Sequence, residues 1–178
     1  MQLLVFLDGN TENILLTPFD LNLNVSGSPL LTSTSVHLYT NAEINFEDEN
    51  LMLNDFSLSV LDLLLEGKFN TSTFLSQPDI SGEFDIESFN PKDLSTLLTM
   101  ELPQTRDPNA LEQIAFSSSL SAGSDSAELN RFILELDDTL ITGSLSANNF
   151  NQPEFNFDIA VNTIDLDRYL APGQTPAS

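Results

Sequence analysis

Few side chains in this sequence have the chemistry of an acid–base, nucleophilic or metal site. The chain has one histidine, His37, no cysteine, and 27 Asp and Glu residues. Without cysteine, no thiolate nucleophile, disulfide or cysteine-ligated zinc can form. His37 lies between Val36 and Leu38, on the polar side of a predicted strand. The GxSxG, HExxH, GxGxxG and P-loop patterns are also absent. Carboxylates are therefore the remaining groups from which a site could be built.

Two short acidic stretches have spacings that a cation site could use. Asp8, Asn10 and Glu12 share part of the spacing of a calcium loop, but its central glycine and distant bidentate glutamate are missing. We interpret this stretch as the turn of a β-hairpin. Residues 47–49 are all acidic, a pattern typical of a solvated loop that blunts a sheet edge. The sequence therefore predicts no metal site and no cofactor.

Carboxylate catalysis has little support either. Pairs for a glycosidase can be drawn from 27 acidic residues in so many ways that their abundance carries no information. Carbohydrate sites normally include exposed aromatic platforms, whereas this chain has no tryptophan and only two tyrosines, Tyr39 and Tyr169. We predict that the protein is not an enzyme.

The charge balance restricts the possible partners. The 27 acidic and 5 basic residues give a net charge of −22, which opposes binding to nucleic acid. The basic residues are scattered, so no polybasic patch is available for anionic lipid headgroups. The acidic residues are dispersed too, a pattern that favours general solubility or a saline habitat.

The length of 178 residues is sufficient for one domain. No apolar run approaches the roughly 20 residues of a membrane span. The opening MQLLVFLD is too short and lacks the basic residues of a secretory signal. Because the chain begins inside a strand-like run, we expect it to be a segment of a larger protein.

The elements that would position any site are β-strands, since apolar residues recur with a period of two along most of the chain. The clearest pattern lies in residues 129–170, where two alternating stretches meet at an Asp137-Asp138 turn and a third follows. In the third, Phe155, Phe157 and Ile159 alternate with polar or small residues and the run continues into IDLDRYL. Further strands are predicted at residues 2–7, 12–17, 19–25, 36–46, 51–60, 63–70, 80–89 and 114–122.

One helix is predicted with a recognisable start. Asn90 is a good cap residue and Pro91 suits the first turn, so a helix should run over about 91–100 and end before Pro103. Residues 107–111 begin in the same way, with a polar residue followed by proline, and predict one helical turn. The predicted fold class is mainly β: an antiparallel, twisted or curved sheet built from repeated strand meanders, in a single domain over 1–172. Residues 173–178 are predicted to be a disordered tail or linker.

The meanders contain an internal repeat. Leu58, Gly67 and Pro78 correspond in order to Leu134, Gly143 and Pro153, which predicts two similar units at about 38–98 and 114–170. A repeat of this kind predicts a stacked or extended sheet rather than a small closed barrel.

Two interpretations of the apolar strand faces stay open. They could pack a sandwich core, which is the safer interpretation for any single residue. Alternatively, one apolar face could be an open groove for phospholipid or other acyl chains. The candidate groove residues are Phe84, Ile86, Phe155, Phe157, Ile159 and Val161.

Residues 106–172 resemble the C-terminal region of the AsmA family of bacterial envelope proteins. The resemblance rests on DPNAL at 107–111, on LELDD at 134–138 with Gly143 beyond it, and on the closing IDLDRYL at 164–170. Upstream, ISGEFDIESFNPKDLSTLL is similar to the family's strand followed by a short helix. About two thirds of the chain carries the resemblance.

The resemblance implies a periplasmic protein, anchored at the inner membrane by an N-terminal helix outside this chain. It also implies a part in outer-membrane assembly and phospholipid transport between membranes, without catalytic residues. The alternative is a structural scaffold that meets other envelope proteins. The family-motif residues are expected to close the fold: Asp137, Asp138, Gly143, Asp165, Asp167, Arg168 and Tyr169. In that role, Arg168 should be at least half-buried beside an aspartate.

Overall fold

The computed structural model describes residues 5–7, 13–27 and 33–173. They form one open antiparallel sheet of ten strands, ordered as in the chain. The predicted fold class, mainly β and antiparallel, is confirmed. The strands are β1 (Val5–Leu7), β2 (Asn13–Val25), β3 (Thr34–Asn45), β4 (Asn50–Val60), β5 (Leu63–Ser72), β6 (Asp79–Phe89), β7 (Ile114–Ala122), β8 (Ser126–Leu136), β9 (Thr139–Asn148) and β10 (Glu154–Val161).

Two short helices accompany the sheet. Helix α1 (Pro91–Leu97) follows β6, with Asn90 as its cap: the side-chain oxygen of Asn90 accepts a hydrogen bond from the N–H of Lys92. Helix α2 (Leu166–Tyr169) follows β10 and is capped in the same way by Asp165. No helix in the described part of the chain is long and apolar enough to cross a membrane.

Several predicted boundaries change in the structure. Stretches 12–17 and 19–25, taken as separate strands, are one strand, β2, with a register shift between Leu16 and Phe19. Helix α1 ends at Leu97, and residues 107–111 form a turn in which the N–H of Ala110 donates to the carbonyl of Asp107. The IDLDRYL ending contains α2 instead of extending β10, because Asp165 caps a new helix. The predicted hairpin turn at Asp8–Asn10 and residues 174–178 of the predicted tail lie outside the described residues.

Strand register puts the apolar residues on one side of the sheet, because directly paired residues of antiparallel strands share a face. One continuous row crosses nine strands, from β2 to β10. Its members are Leu21, Leu38, Leu58, Leu65, Ile86, Phe116, Leu134, Ile141 and Val161. We call this side the apolar face. The opposite side, the polar face, carries rows such as Tyr39, Ser57, Glu66, Asp85 and Ser117.

Special backbone positions recur 76 residues apart. Asp55 and Arg131 both have positive φ at a register shift, in β4 and β8 respectively. Leu61 and Asp137 have positive φ in the turns that follow these strands. Across from each shift lies a buried hydroxyl, Thr40 in β3 or Ser118 in β7. Each hydroxyl lies within hydrogen-bond distance of the carbonyl oxygen of the residue before the bulged one, Asn54 for Thr40 and Asn130 for Ser118.

Aromatic rings cross the centre of the apolar face. Phe56, Phe69, Phe84, Phe116 and Phe132 lie on successive strands, with neighbouring ring centroids 5.6 to 6.5 Å apart. Glycines opposite these rings leave room for each ring to lie against the neighbouring strand. A Cβ on Gly82 would lie 2.5 Å from a ring carbon of Phe69, so the glycine makes room for the ring.

Within residues 5–7, 13–27 and 33–173, the sheet has a single layer and little enclosed core. Among the described residues, the buried hydrophobic side chains are Ala42, Leu97, Ala110 and Phe132. The accessible surface is 11610 Å², against about 8,600 Å² expected for a compact monomer of this size. Most of the apolar face is therefore half-buried or exposed rather than sealed.

Candidate functional site

The six candidate groove residues all lie on the apolar face. Ile86 and Val161 belong to the same row, separated by one residue from each of β7, β8 and β9. At about 4.8 Å per strand, these two positions lie roughly 19 Å apart along the sheet. The structure places the six in two groups, one on β6 and one on β10.

The two groups differ in exposure. Phe84 and Ile86 are half-buried, since β6 has a neighbour on each side. The β10 group is open to solvent. Its exposed fractions are 65% for Phe155, 71% for Phe157, 50% for Ile159 and 45% for Val161. Four apolar side chains side by side at these exposures form a patch that is unusual for a soluble protein.

The dimensions of the apolar face suit an extended apolar ligand. The row from β2 to β10 crosses eight inter-strand spacings of about 4.8 Å, which give a width of roughly 38 Å before any curvature. Helices of seven and four residues are too short to cover an area of that width. The face therefore stays available along much of its width.

The polar face carries two cavities. One has a volume of 640 Å³ and includes Tyr39, Ser57, Glu66 and Asp85 in its lining. A second, of 460 Å³, includes Asn70, Ser81, Ser119 and Asn130. Within the described ranges, no group of three or more His, Cys, Asp or Glu side chains could hold a metal ion. Both linings also include apolar residues, Phe56 and Phe84 in the first cavity and Met52, Phe69 and Leu120 in the second.

His37 takes part in a local contact on the polar face. Its Nε2 lies 3.0 Å from the carboxylate of Asp20 on the neighbouring strand, and both side chains are more than 40% exposed. This contact joins β3 to β2 on the polar face.

A polar cluster closes one end of the sheet. Arg168 Nε donates to Asp107 at 2.8 Å, and its Nη1 donates to Asp138 at 3.1 Å. The hydroxyl of Tyr169 donates to Asp137 at 2.9 Å. We call Asp107, Asp137, Asp138, Arg168 and Tyr169 the Arg168 cluster. It ties α2 to the turn between β8 and β9 and to the connection that precedes β7.

Asp137 is the most heavily bonded member of this cluster. Its carboxylate accepts backbone N–H groups from Leu111, Glu112 and Gln113 at 2.8 to 3.1 Å. Its own N–H donates to the carbonyl of Gln113. One side chain therefore satisfies three donors in the segment that leads into β7, which indicates a structural function.

The remaining family-motif residues also have local structural positions. Asp165 caps α2 by accepting from the N–H of Asp167, which is exposed in the first turn. Gly143 lies opposite Ile159, and a Cβ there would collide with the backbone carbonyl of Asp158. Strand β10 can thus approach β9 only because residue 143 has no side chain.

Sequence reasoning missed two parts of this arrangement. The sequence places Asp107 in a predicted helical turn and in the DPNAL motif, but does not predict that it binds Arg168 and accepts from the N–H of Asn109 at 2.9 Å. The Asp-Pro-Asn sequence signals such a side-chain-to-backbone turn. The buried hydroxyls of Thr40 and Ser118 were missed as well. Their signal was a polar residue in an apolar series at equivalent positions of the two repeats.

Comparisons with protein-family models, curated proteins and solved structures find no match to this chain. The resemblance to the AsmA family stays a prediction from residues 106–172. Two grounds for a function therefore remain: the geometry of the sheet and that resemblance.

The Arg168 cluster predicts a specific loss of stability in acid. Hydrogen bonding from Asn109 and then pairing with Arg168 lower the pKa of Asp107. Burial alone would raise the pKa of Asp137, but the N–H groups of residues 111–113 and the Tyr169 hydroxyl outweigh it, and the pKa falls. The pKa of an aspartate in an unfolded chain is about 3.9. As the pH falls, the unfolded chain therefore takes up protons before the folded protein does. The stability that these carboxylates contribute is present above that pH and is lost as pH falls through their lower folded pKa values.

The test is a comparison of wild type with Asp137→Asn in urea at pH 7, 5, 4 and 3. We expect the stability difference between them to be constant above about pH 5 and to narrow below pH 4. The comparison is needed because protonation of the other carboxylates relieves repulsion in both proteins. A difference that stays constant down to pH 3 would contradict the lowered pKa of Asp137.

Proposed function

We propose that this chain is a non-catalytic segment of a bacterial cell-envelope protein that carries phospholipid between membranes by holding acyl chains against its apolar face. In this way it would take part in outer-membrane biogenesis. The observation that supports the proposal is the continuous apolar row from β2 to β10, together with the exposure of Phe155, Phe157, Ile159 and Val161.

Acyl-chain burial supplies the driving force in this proposal. Removing apolar surface from water contributes about 0.8 kcal/mol per buried CH₂ group. One leaflet of a bilayer has a hydrocarbon thickness of about 15 Å, so an extended acyl chain is shorter than the roughly 38 Å width of the face. An acyl chain lying across several strands would cover the exposed rings of β10 and the half-buried positions beyond them.

The headgroup contributes differently. A net charge of −22 repels an anionic headgroup, and the polar face is turned away from the bound acyl chain. The headgroup is therefore expected to stay in water at the margin of the sheet. A zwitterionic phospholipid should bind better than an anionic one with the same acyl chains, and added salt should reduce the difference.

The location in the envelope comes from the resemblance of residues 106–172 to the AsmA family. On that basis the full-length protein would be periplasmic and anchored at the inner membrane. The sheet would then provide a path for acyl chains through the aqueous space between the two membranes.

A binding measurement tests the lipid proposal. Delipidated protein is titrated with a phosphatidylcholine that carries a fluorescent acyl chain, and the affinity is compared with that of Phe155→Ser/Phe157→Ser. Both rings are exposed in β10, so the fold should tolerate the change. We expect the double variant to lose at least about five-fold in affinity, because two aromatic contact surfaces are removed.

The matched control is Asn156→Ser, on the polar face of the same strand and opposite Ser146, which should change affinity less than two-fold. A second readout is a phospholipid with a photoreactive acyl chain, which should label the apolar face. Absence of phospholipid binding by wild type, or labelling confined to the polar face, would contradict the proposal. Absence of binding would favour the scaffold alternative.

A further inference from the structure

Strand β10 has a free outer edge in the part of the chain that the structure describes. It pairs with β9 on one side, and the strand order of the sheet ends with it. Alternate residues of such a strand direct their N–H and C=O groups away from the sheet. All eight residues of β10 are exposed. Both backbone groups and side chains are therefore available to a further strand.

Strand β6 shows how an equivalent edge is covered within this same molecule. Gly67 lies opposite Phe84 just as Gly143 lies opposite Ile159. After β6, Asn90 caps α1, as Asp165 caps α2 after β10. The two strands thus occupy the same place in their repeats, 75 residues apart. They differ on one side: β6 pairs with β7 along its length, whereas β10 has no such neighbour among the described residues.

The missing neighbour accounts for the difference in exposure between the two strands. The positions of β6 that correspond to Phe155, Ile159 and Val161 of β10 are Ile80, Phe84 and Ile86. All three β6 residues are half-buried, and all three β10 residues are exposed. A strand at the edge of β10 would cover the same surface that β7 helps to cover on β6.

Charge indicates what kind of strand fits. Strand β6 places Glu83 and Asp85 on the polar face, and their partners in β7 are Ser119 and Ser117. Strand β7, IAFSSSLSA, has no charged residue. Strand β10 places Glu154 and Asp158 on the same face, so its partner strand should carry small hydroxyl or basic residues there.

We propose that the outer edge of β10 is a docking site for an extended segment of a partner polypeptide that resembles β7, with large apolar residues alternating with hydroxyl or basic residues and no acidic ones. The segment adds an eleventh strand by β-augmentation, in which backbone hydrogen bonds supply affinity and side chains set register. The β6–β7 pairing fixes the expected register. The position of Ser119 lies opposite Asp158, and the position of Phe116 lies opposite Val161.

A second copy of this chain fits the site less well. Each copy has a net charge of −22, and two β10 edges placed together would bring Glu154 and Asp158 of both copies into one small area. Like charges across an antiparallel pair destabilise it, and the whole-molecule charge opposes the encounter. The segment that fits this edge is therefore one of lower negative charge than a second copy of β10.

A charge-swap experiment tests the docking site and its register. The probe is a fluorescently labelled synthetic peptide with the sequence of residues 113–123, and two further peptides carry Ser119→Lys or Ser119→Glu. Each is titrated into the full chain by fluorescence anisotropy. We expect the Lys peptide to bind wild type most tightly, the unchanged peptide less tightly and the Glu peptide least tightly. The affinity should differ by about two- to five-fold from one peptide to the next, the range of one cross-strand ion pair.

Asp158→Lys should reverse this order. Glu83→Lys is the matched control, because Glu83 occupies the equivalent position on β6 where β7 is already paired, and it should leave the order unchanged. Both positions are exposed, and circular dichroism checks the fold of each variant. Peptide-induced NMR shifts should centre on residues 154–161.

Three results would overturn the proposal. One is no binding of any of the three peptides at millimolar concentration. Another is an order of affinities that Asp158→Lys does not change. The third is sedimentation as a dimer that the Lys peptide fails to dissociate, which would make a second copy the occupant of the edge.

Discussion

Asp137→Ala is expected to lower the free energy of unfolding by about 2–4 kcal/mol. The carboxylate accepts hydrogen bonds from three consecutive backbone N–H groups and from the hydroxyl of Tyr169. Each donor that loses its partner costs on the order of 1 kcal/mol. Residue 137 also has φ 50°, a conformation that aspartate and asparagine tolerate better than alanine. For a protein of this size the melting temperature should fall by roughly 5–15 °C.

Two companion variants separate these causes. Asp137→Asn keeps the positive φ and one side-chain oxygen, so it should cost less than Asp137→Ala. Asp138→Ala removes an ion pair with Arg168 in which the aspartate is 93% exposed, and exposed pairs contribute at most about 1 kcal/mol. Urea unfolding at pH 7 measures all three. Equal losses for Asp137→Ala and Asp138→Ala would contradict the structural function assigned to the bonds from residues 111–113.

Gly143→Val should have the other large effect, the displacement of β10 from β9. A Cβ at residue 143 would meet the backbone carbonyl of Asp158 and would lie 3.1 Å from the Cα of Ile159. Backbone atoms in the middle of a strand pair cannot rotate away as a side chain can, so the pairing must shift or open. We expect a loss of about 3 kcal/mol or more, at the upper end for overpacking. Amide hydrogen exchange should accelerate across β10 first.

Gly123→Ala is the matched control for Gly143→Val. The nearest atom to a Cβ there is the hydroxyl oxygen of Ser126 at 3.9 Å, so alanine fits without a clash. That substitution should be neutral or stabilising by up to about 1 kcal/mol, because alanine restricts the unfolded chain.

Gly67→Ala is informative as the equivalent position in the other repeat, where the Cβ would lie 2.6 Å from the Glu83 carbonyl. Unchanged exchange of β10 in Gly143→Val would show that β10 does not need this close approach.

Period-two alternation was enough to predict most strands, since it arises from the pleat itself. Alternation also predicted that every strand has one apolar side, but it could not show that these sides lie on the same face of the sheet. That depended on register: the shifts beside Asp55 and Arg131 keep the row from Leu21 to Val161 continuous. At each shift a hydroxyl from the neighbouring strand, Thr40 or Ser118, donates to the carbonyl of the residue before the bulged one.

The sequence by itself predicted a mainly β, antiparallel fold and the cap of α1 at Asn90, from the alternation of apolar residues and from residue type. Gly143 was singled out by the internal repeat and Arg168 by the family resemblance. Only the tertiary structure decided that, within the described ranges, the apolar side has no second layer over it and β10 has no further strand where β6 has β7. The physical reason is that burial and pairing depend on which strands become neighbours, and alternation along one strand is the same beside a core, a lipid or water.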